Sequence, residues 1–281
     1  MKSVKEVLDL SCQYLTDRKV PNARRCVEEL LADILHVDRV RLYMDFDHPL
    51  EGDELQRCRQ GVSRLAQREP WQYVIGYVDF YGCRIKVNKE VLIPRQETEI
   101  LADIIAKKLE ARHVEGCMLW DVCCGSGCLG IALKKRFPTL QVIVSDISTK
   151  ALEIAKDNAQ YNNVEVSLLQ GDLLAPFSGN QADFIVCNPP YVSEKEYQSL
   201  DPEVVHYEPR QALVGGPTGL EMYRHLAKNL GSFLNPEALV WLELGTGQGN
   251  SVGTLFSEAG WQRWHIEKDW AGHDRFFFLE I

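Results

Sequence analysis

Two stretches of this chain place reactive or ligand-gripping groups at spacings that suit chemistry. The first is Asn188-Pro189-Pro190-Tyr191, which follows the apolar run Ala182-Asp183-Phe184-Ile185-Val186-Cys187. That run has the length and β-branched content of a buried strand. Two consecutive prolines remove two N–H donors, so strand pairing stops there, and Pro190 holds Pro189 extended. Such a corner, at the rim where α/β sheets bind ligands, presents the Asn188 side-chain oxygen, the Pro189 carbonyl and the Tyr191 ring. These suit a planar –NH2 group conjugated to a carbonyl or a ring, a poor nucleophile because its lone pair is delocalised. Two acceptors hold its hydrogens, an aromatic face lies on its plane, and catalysis comes from positioning and charge stabilisation. A strand-ending turn with a core tyrosine uses the same residues, but so specific a tetrapeptide is scarce by composition.

The second stretch is Asp121-Val122-Cys123-Cys124-Gly125-Ser126-Gly127-Cys128-Leu129-Gly130. It sets a Gly-x-Gly-x-x-Gly run between a predicted strand, Met118–Val122, and a predicted helix, Cys128–Phe137. Asp146 follows about 20 residues on, at the end of the next strand, as in a dinucleotide fingerprint. A loop for S-adenosylmethionine has the same backbone logic: small residues admit the cofactor and an acid takes the ribose hydroxyls. The loop therefore specifies an adenosine-bearing cofactor and leaves its identity open. Asn188-Pro189-Pro190-Tyr191 decides for S-adenosylmethionine, because hydride transfer has no use for two acceptors around an amino group. Gly171-Asp172-Leu173, after the third strand, is placed to meet the adenine, Asp172 as acceptor and Leu173 as wall; a polar strand end would look the same. Cys124 and Cys128 suggest a metal, but Ile131 stands where a third cluster ligand belongs and no distant Cys pair completes a zinc site. No metal is expected, and no Ser-His-Asp or Cys-His set stands out.

The elements that must position these groups fall into three segments. Residues 1–70 read as a helical domain, with Val4, Val7, Leu8, Leu10 and Leu15, and then Val27, Leu30, Leu31, Ile34 and Leu35, at helical spacing. Pro21-Asn22-Ala23 predicts a helix start, and His48 to Asp53 a turn into a further helix through Leu65. His36 and His48 have no partner pattern and are expected at the surface or as caps. Residues 71–93 read as a hairpin linker, with strands at Tyr73–Gly82 and Cys83–Val87. Residues 94–281 alternate strand and helix, the mark of a parallel sheet with crossovers. The first helix there runs to Leu109, capped by Thr98 or Gln96. Strands are expected at Gln141–Ser145, Val164–Leu169, Ala182–Cys187 and Ala238–Leu242. Arg263–Lys268 and Arg275–Glu280 follow each other too closely for a helix and should pair antiparallel at the sheet edge. Helices are expected at Ser148–Tyr161, Gly219–Leu230 and Gly249–Ala259.

Composition bounds the function. Hydrophobic residues at 45% and charged residues at 25% describe an ordinary globular protein. A net charge of −9 argues against a nucleic-acid backbone as partner. Nine cysteines, an odd number, without secretory features suggest reduced thiols and a cytoplasmic location. The first ten residues look like neither a signal nor a transit peptide, and no apolar run is long enough to span a membrane.

The chain resembles the HemK/PrmC protein-glutamine N5-methyltransferases that modify peptide chain release factors. The resemblance spans nearly the full length. It rests on Arg68-Glu69-Pro70, Phe80-Tyr81-Gly82, Leu92-Ile93-Pro94-Arg95-Gln96-Glu97-Thr98-Glu99, the glycine loop, Asn188-Pro189-Pro190-Tyr191 and Glu208-Pro209-Arg210-Gln211-Ala212-Leu213. It implies a Rossmann-like, seven-stranded class I methyltransferase domain, an N-terminal helical bundle that recognises substrate, and a β-hairpin linker. The implied substrate is the glutamine of the Gly-Gly-Gln loop in release factors, and the implied state a monomer. Carried over, Cys123, Cys124, Gly125, Ser126 and Gly127 line the methionine portion of the cofactor. Asp146 holds the ribose, Leu173 walls the adenine, and Asn188, Pro189, Pro190 and Tyr191 hold the glutamine amide, Asn188 also lying near the methyl donor. Cys123 stands where the family has a first glycine, Gln96 where it has proline and Leu173 where an aromatic is common. Cys123 makes that backbone less permissive. Rival expectations are a nucleic-acid amino-methyltransferase acting on adenine N6 or guanine N2, a nicotinamide-dependent oxidoreductase, and a non-catalytic cofactor-binding module.

Overall fold

The structure is a computed structural model that describes residues 2–281. The described residues divide into two compact units, residues 2–77 with 202–207, and residues 78–201 with 208–281.

The first unit is helical: α1 (Val4–Asp17), α2 (Ala23–Leu35), α3 (Arg39–Met44), α4 (Gly52–Leu65) and α5 (Trp71–Ile75). Ser3 caps α1 in a reciprocal box with Glu6. The apolar faces read from the sequence meet in one core that includes Val4, Leu8, Leu15, Val27, Leu31 and Leu65. Asn22 precedes α2 as expected and His36 forms its C-cap. Three short helices of this unit, α3, α5 and α10 (Pro202–Tyr207), were not expected. Tyr73–Ile75 opens the expected strand Tyr73–Gly82, yet it lies in α5 between Pro70 and Gly76, whose φ is +94°. Trp71 and Val74 lean on the helical core, so burial overrides the local β preference of Tyr73, Val74 and Ile75. The chain returns to this unit at α10, where the Tyr207 hydroxyl donates to the Gln67 carbonyl and Arg68 pairs with Glu203.

A hairpin, β1 (Tyr77–Phe80) and β2 (Cys83–Lys86), follows, and from Val78 on it belongs to the second unit. Its turn residues Tyr81 and Gly82 have φ of +42° and +74°, as a two-residue turn matching strand twist requires. Next come α6 (Gln96–Glu110), β3 (Met118–Val122), α7 (Cys128–Arg136), β4 (Gln141–Asp146), α8 (Thr149–Tyr161), β5 (Ser167–Gln170), β6 (Ala182–Cys187), β7 (Val192–Ser193) and α9 (Glu194–Tyr197). After α10 follow α11 (Arg210–Leu213), β8 (Val214–Gly216), α12 (Glu221–Asn229), β9 (Leu234–Glu243), α13 (Gly249–Glu258), β10 (Trp264–Lys268) and β11 (Asp274–Glu280). Neither Thr98 nor Gln96 caps α6: the N-cap is Arg95, and Thr98 points elsewhere.

Seven strands form one sheet in the order β10-β11-β9-β6-β3-β4-β5. All neighbours are parallel except β11, which runs antiparallel to β9 and β10. The late pair thus sits at the sheet edge, as its spacing required. Two strands differ from expectation: β5 starts at Ser167, and β9 starts at Leu234 and runs through Pro236. The register of β6 against β9 slips between Ala182 and Phe184, and in such an irregularity a proline is tolerated.

Strand alternation divides the buried residues between the two faces. Trp120, Val122, Ile185, Cys187, Val240, Leu242, Phe277 and Leu279 share one core with Phe177, Tyr223, Leu226, Val252 and Phe256. Trp120 stacks on Phe177 at 4.0 Å between centroids. The opposite parity, through Leu119, Val186 and Trp241, carries Asp121, Asn188 and Glu243 to the carboxyl ends of three adjacent strands, β3, β6 and β9.

Candidate active site

After β3 the chain runs toward β4 on one side, whereas β6 returns on the other. The crevice above their carboxyl ends is therefore a topological switch point. A cavity of about 580 Å³ lies there. Of the residues singled out from the sequence, Cys123, Cys124, Gly125, Ser126, Asp146, Asp172, Leu173, Asn188 and Pro190 line it. Gly127, Pro189 and Tyr191 lie outside that lining. Gly127 starts α7 with φ +77° and packs against Ile131 and Ala155, Pro189 is buried, and Tyr191 is partly buried against the sheet core.

The glycine loop is shaped by left-handed backbone. Cys123, Gly125 and Gly127 have φ of +59°, +53° and +77°. Glycine adopts this region freely, while Cys123 carries a steric cost of about 1–2 kcal/mol. Asp146 organises the loop, because its Oδ2 accepts from the Gly125 N–H at 2.9 Å and its Oδ1 from the Ser148 N–H at 2.9 Å. Burial raises its pKa, and these backbone donors oppose the rise. Asn158 of α8 donates to the Ser126 carbonyl and exchanges two hydrogen bonds with Lys86, so one amide ties the hairpin to the loop.

The site fits a cationic, nucleoside-bearing cofactor on two observations. Asp121 in the cavity wall accepts from the Gly130 N–H through Oδ2 at 2.8 Å, while its Oδ1 is buried with no partner among the described residues. Burial pushes this carboxyl up to about 7. A buried, half-satisfied carboxylate is a destabilising group that a bound cation would satisfy. Asp146, Asp172 and Leu173 supply the second, two acids and an apolar wall on the β4–β5 side of the same cavity, a donor-seeking set for ribose and adenine.

The Asn188 corner is clamped from behind. The Asn188 amide donates through Nδ2 to Thr98 Oγ1 at 3.2 Å, and Thr98 Oγ1 donates to Glu243 Oε2 at 2.7 Å. The Tyr191 hydroxyl lies 3.5 Å from Glu243 Oε1. Glu243 is 1% exposed, and burial pushes it up to about 7. Gln248 donates to the Tyr191 carbonyl at 2.9 Å and accepts from the Gly245 N–H at 2.9 Å. The loop before α11 is fixed by buried Glu208, which accepts from the Ile93 N–H at 3.1 Å and from the Arg95 guanidinium.

Sequence reasoning missed Thr98, Asp121, Asn158, Gln248 and Glu243. Glu243 and Asp121 had a usable signal, an acid inside or ending an otherwise apolar strand, a position that Asp146 shares although its spacing from the glycine loop was what marked it. Asn158 and Gln248 had none, since lone amides on helices read as surface.

Residues 6–76 match the PrmC N-terminal domain, and residues 95–216 match the methyltransferase small domain. The release factor glutamine methyltransferase of Chlamydia trachomatis serovar L2 is 42% identical over 278 residues, 99% of this chain and 94% of that protein. The Geobacter sulfurreducens protein of the same name is 39% identical over 273 residues, 97% of this chain and 95% of its own. The crystal structure of a methyltransferase from Pyrococcus furiosus aligns with TM-score 0.51 at 16% identity, covering 82% of this chain and 98% of its own, which shows a common fold. Similarity of this extent, through both the helical unit and the sheet, means that the chain belongs to the release factor glutamine methyltransferase family.

Proposed function

We propose that this enzyme transfers a methyl group from S-adenosyl-L-methionine to the side-chain nitrogen of the glutamine in the Gly-Gly-Gln loop of peptide chain release factors. The observation that carries the assignment to an amide nitrogen is the Asn188 corner on the same cavity as the glycine loop and Asp146. When bound, S-adenosylmethionine supplies an electrophilic methyl on a positively charged sulfur. Asp146 and Asp172 would take the hydroxyls and amino group of its nucleoside, and Asp121 Oδ1 its cationic end.

The chain's own residues act by position. With Nδ2 of Asn188 engaged by Thr98, Oδ1 is the atom left to accept a hydrogen from the substrate carboxamide. Pro190 walls the approach; the second hydrogen is assigned to the Pro189 carbonyl and the aromatic face to Tyr191, two residues of the same corner that lie outside the cavity lining. Gripping both hydrogens fixes the amide plane and turns its nitrogen toward the cofactor side, the entropic part of the barrier. As the nitrogen gains positive charge, the two acceptors stabilise it. Neither acceptor is a base at neutral pH, so the proton leaves to water.

The N-terminal helical unit is the segment we assign to recognition of the release factor, with residues 71–93 as linker and 94–281 as the transferase domain. The enzyme is assigned to the cytoplasm as a monomer without a nucleic-acid partner; among the described residues no helix is long and apolar enough to cross a membrane. Incubation with purified release factor and cofactor should add a single methyl group to the Gly-Gly-Gln peptide, read in a mass spectrum. Methyl appearing in DNA or RNA and not in that peptide would transfer the assignment to the nucleic-acid reading.

A further inference from the structure

An amide side chain can be turned either way with the same outline, and only one way presents an acceptor to the substrate. What decides for Asn188 is Thr98 in the cavity wall and Glu243 behind it. Thr98 has a single hydroxyl proton, which it gives to Glu243 Oε2. It therefore has only lone pairs to offer Asn188, which must turn its Nδ2–H inward and its Oδ1 outward. The other oxygen of the same carboxylate faces the Tyr191 hydroxyl.

Glu243 is an expensive residue to bury at the end of β9, and the Thr98 hydrogen bond with the Arg275 and Arg95 charges offsets that burial only in part. Around it stand Thr98 and Glu97 of α6, Arg95 at the start of that helix, Tyr191 after β6, Arg275 of β11, Cys128 of α7 and Tyr223 of α12, whose hydroxyl donates to the Glu243 main-chain carbonyl. Arg95 is engaged with Glu208, and Arg275 with Asp269, the Leu244 carbonyl and Thr246. The charge is thus left for the Thr98 and Tyr191 hydroxyls.

We propose that Glu243 and Thr98 are positioning residues for methyl transfer: the buried carboxylate fixes the direction of the Thr98 hydroxyl, which fixes Asn188 with its oxygen toward the substrate nitrogen. This rests on the proposed function and adds a switch to it. Protonated Glu243 can donate to Thr98, which can then donate to Asn188 Oδ1, turning the Asn188 –NH2 toward the substrate hydrogens. Turnover therefore requires ionised Glu243 and rises with pH through the neutral range.

The test uses the full chain, purified release factor and S-adenosylmethionine. Thr98→Val removes the hydroxyl and keeps the shape, and kcat should fall on the order of 10- to 100-fold, with cofactor affinity within about threefold. Thr98→Ser should restore most of the loss. Glu243→Gln should lose the rise of kcat near neutral pH that the wild type shows. If Thr98→Val fails to fold, the pH profile of Glu243→Gln decides alone. Wild-type turnover with an unchanged Thr98→Val rate, or an unchanged pH limb in Glu243→Gln, overturns the proposal. A wild type that methylates no release factor overturns instead the functional assignment on which it stands.

Discussion

A Cβ on Gly215 would stand 2.2 Å from the carbonyl oxygen of Pro190. The two residues lie in segments joined by the short parallel pair β7–β8, with Val192 opposite Val214 and Ser193 opposite Gly216. The obstacle to any side chain is therefore backbone, which cannot swing aside as a flexible chain end would. Gly215→Ala should displace the Asn188–Tyr191 corner and lower kcat on the order of tenfold or more, since small misplacements cost about 100-fold in positioned chemistry. Cofactor titration by calorimetry should stay close to wild type, because Asp146 and the glycine loop are untouched.

The two ends of the cavity should separate in mutant kinetics. Asn188→Ala removes an acceptor used in the transfer, and kcat should fall on the order of 100-fold or more while cofactor affinity changes much less. Asp146→Ala frees the N–H groups of Gly125 and Ser148, and the KM for cofactor should rise on the order of tenfold. Single-turnover assays with cofactor titrations check both. Equal loss of both quantities in Asn188→Ala would mean that this residue only supports the cofactor.

Stability should fall as pH rises across the weakly acidic range. Burial pushes both Glu243 and Asp121 up to about 7, from ordinary values of 4.5 and 3.8. Between those limits the folded chain binds more protons than the unfolded chain. The stabilisation each group contributes is full below its unfolded pKa and is lost through about pH 7. Glu196 and Glu28, whose pKa values are lowered, act only at more acidic pH. Melting followed by circular dichroism should give a higher Tm at pH 5.5 than at pH 8, at roughly 2–4 °C per kcal/mol. Asp121→Asn should shrink the difference.

Cys123→Gly should stabilise the chain. Cys123 sits at φ +59°, and relief of a left-handed non-glycine backbone amounts to about 1–2 kcal/mol, less the greater freedom glycine has when unfolded. A net gain of roughly 0.5–1 kcal/mol in chemical denaturation is expected. A lower midpoint would mean that the thiol's packing against the sheet core outweighs the strain.

The sequence by itself determined the sheet and its rim. The apolar runs of β3, β4 and β6, the glycine loop, Asp146 and the prolines after Cys187 are contiguous signals, because strand periodicity, turn chemistry and proline's missing donor all act within a few residues. The antiparallel edge pair followed from the spacing of β10 and β11 alone. Short elements did not follow: α3 and α5 exist because Leu42, Trp71 and Val74 find a helical core to cover, and local preference cannot foresee that. Only the tertiary structure decided what holds the catalytic corner. Thr98 lies 90 residues from Asn188 in sequence and Glu243 lies 145 from Thr98, and the link depends on strand parity placing β6 and β9 side by side with α6 over them. Hydrogen-bond direction is a property of that three-dimensional neighbourhood, so the outward turn of Asn188 Oδ1 was absent from the linear pattern.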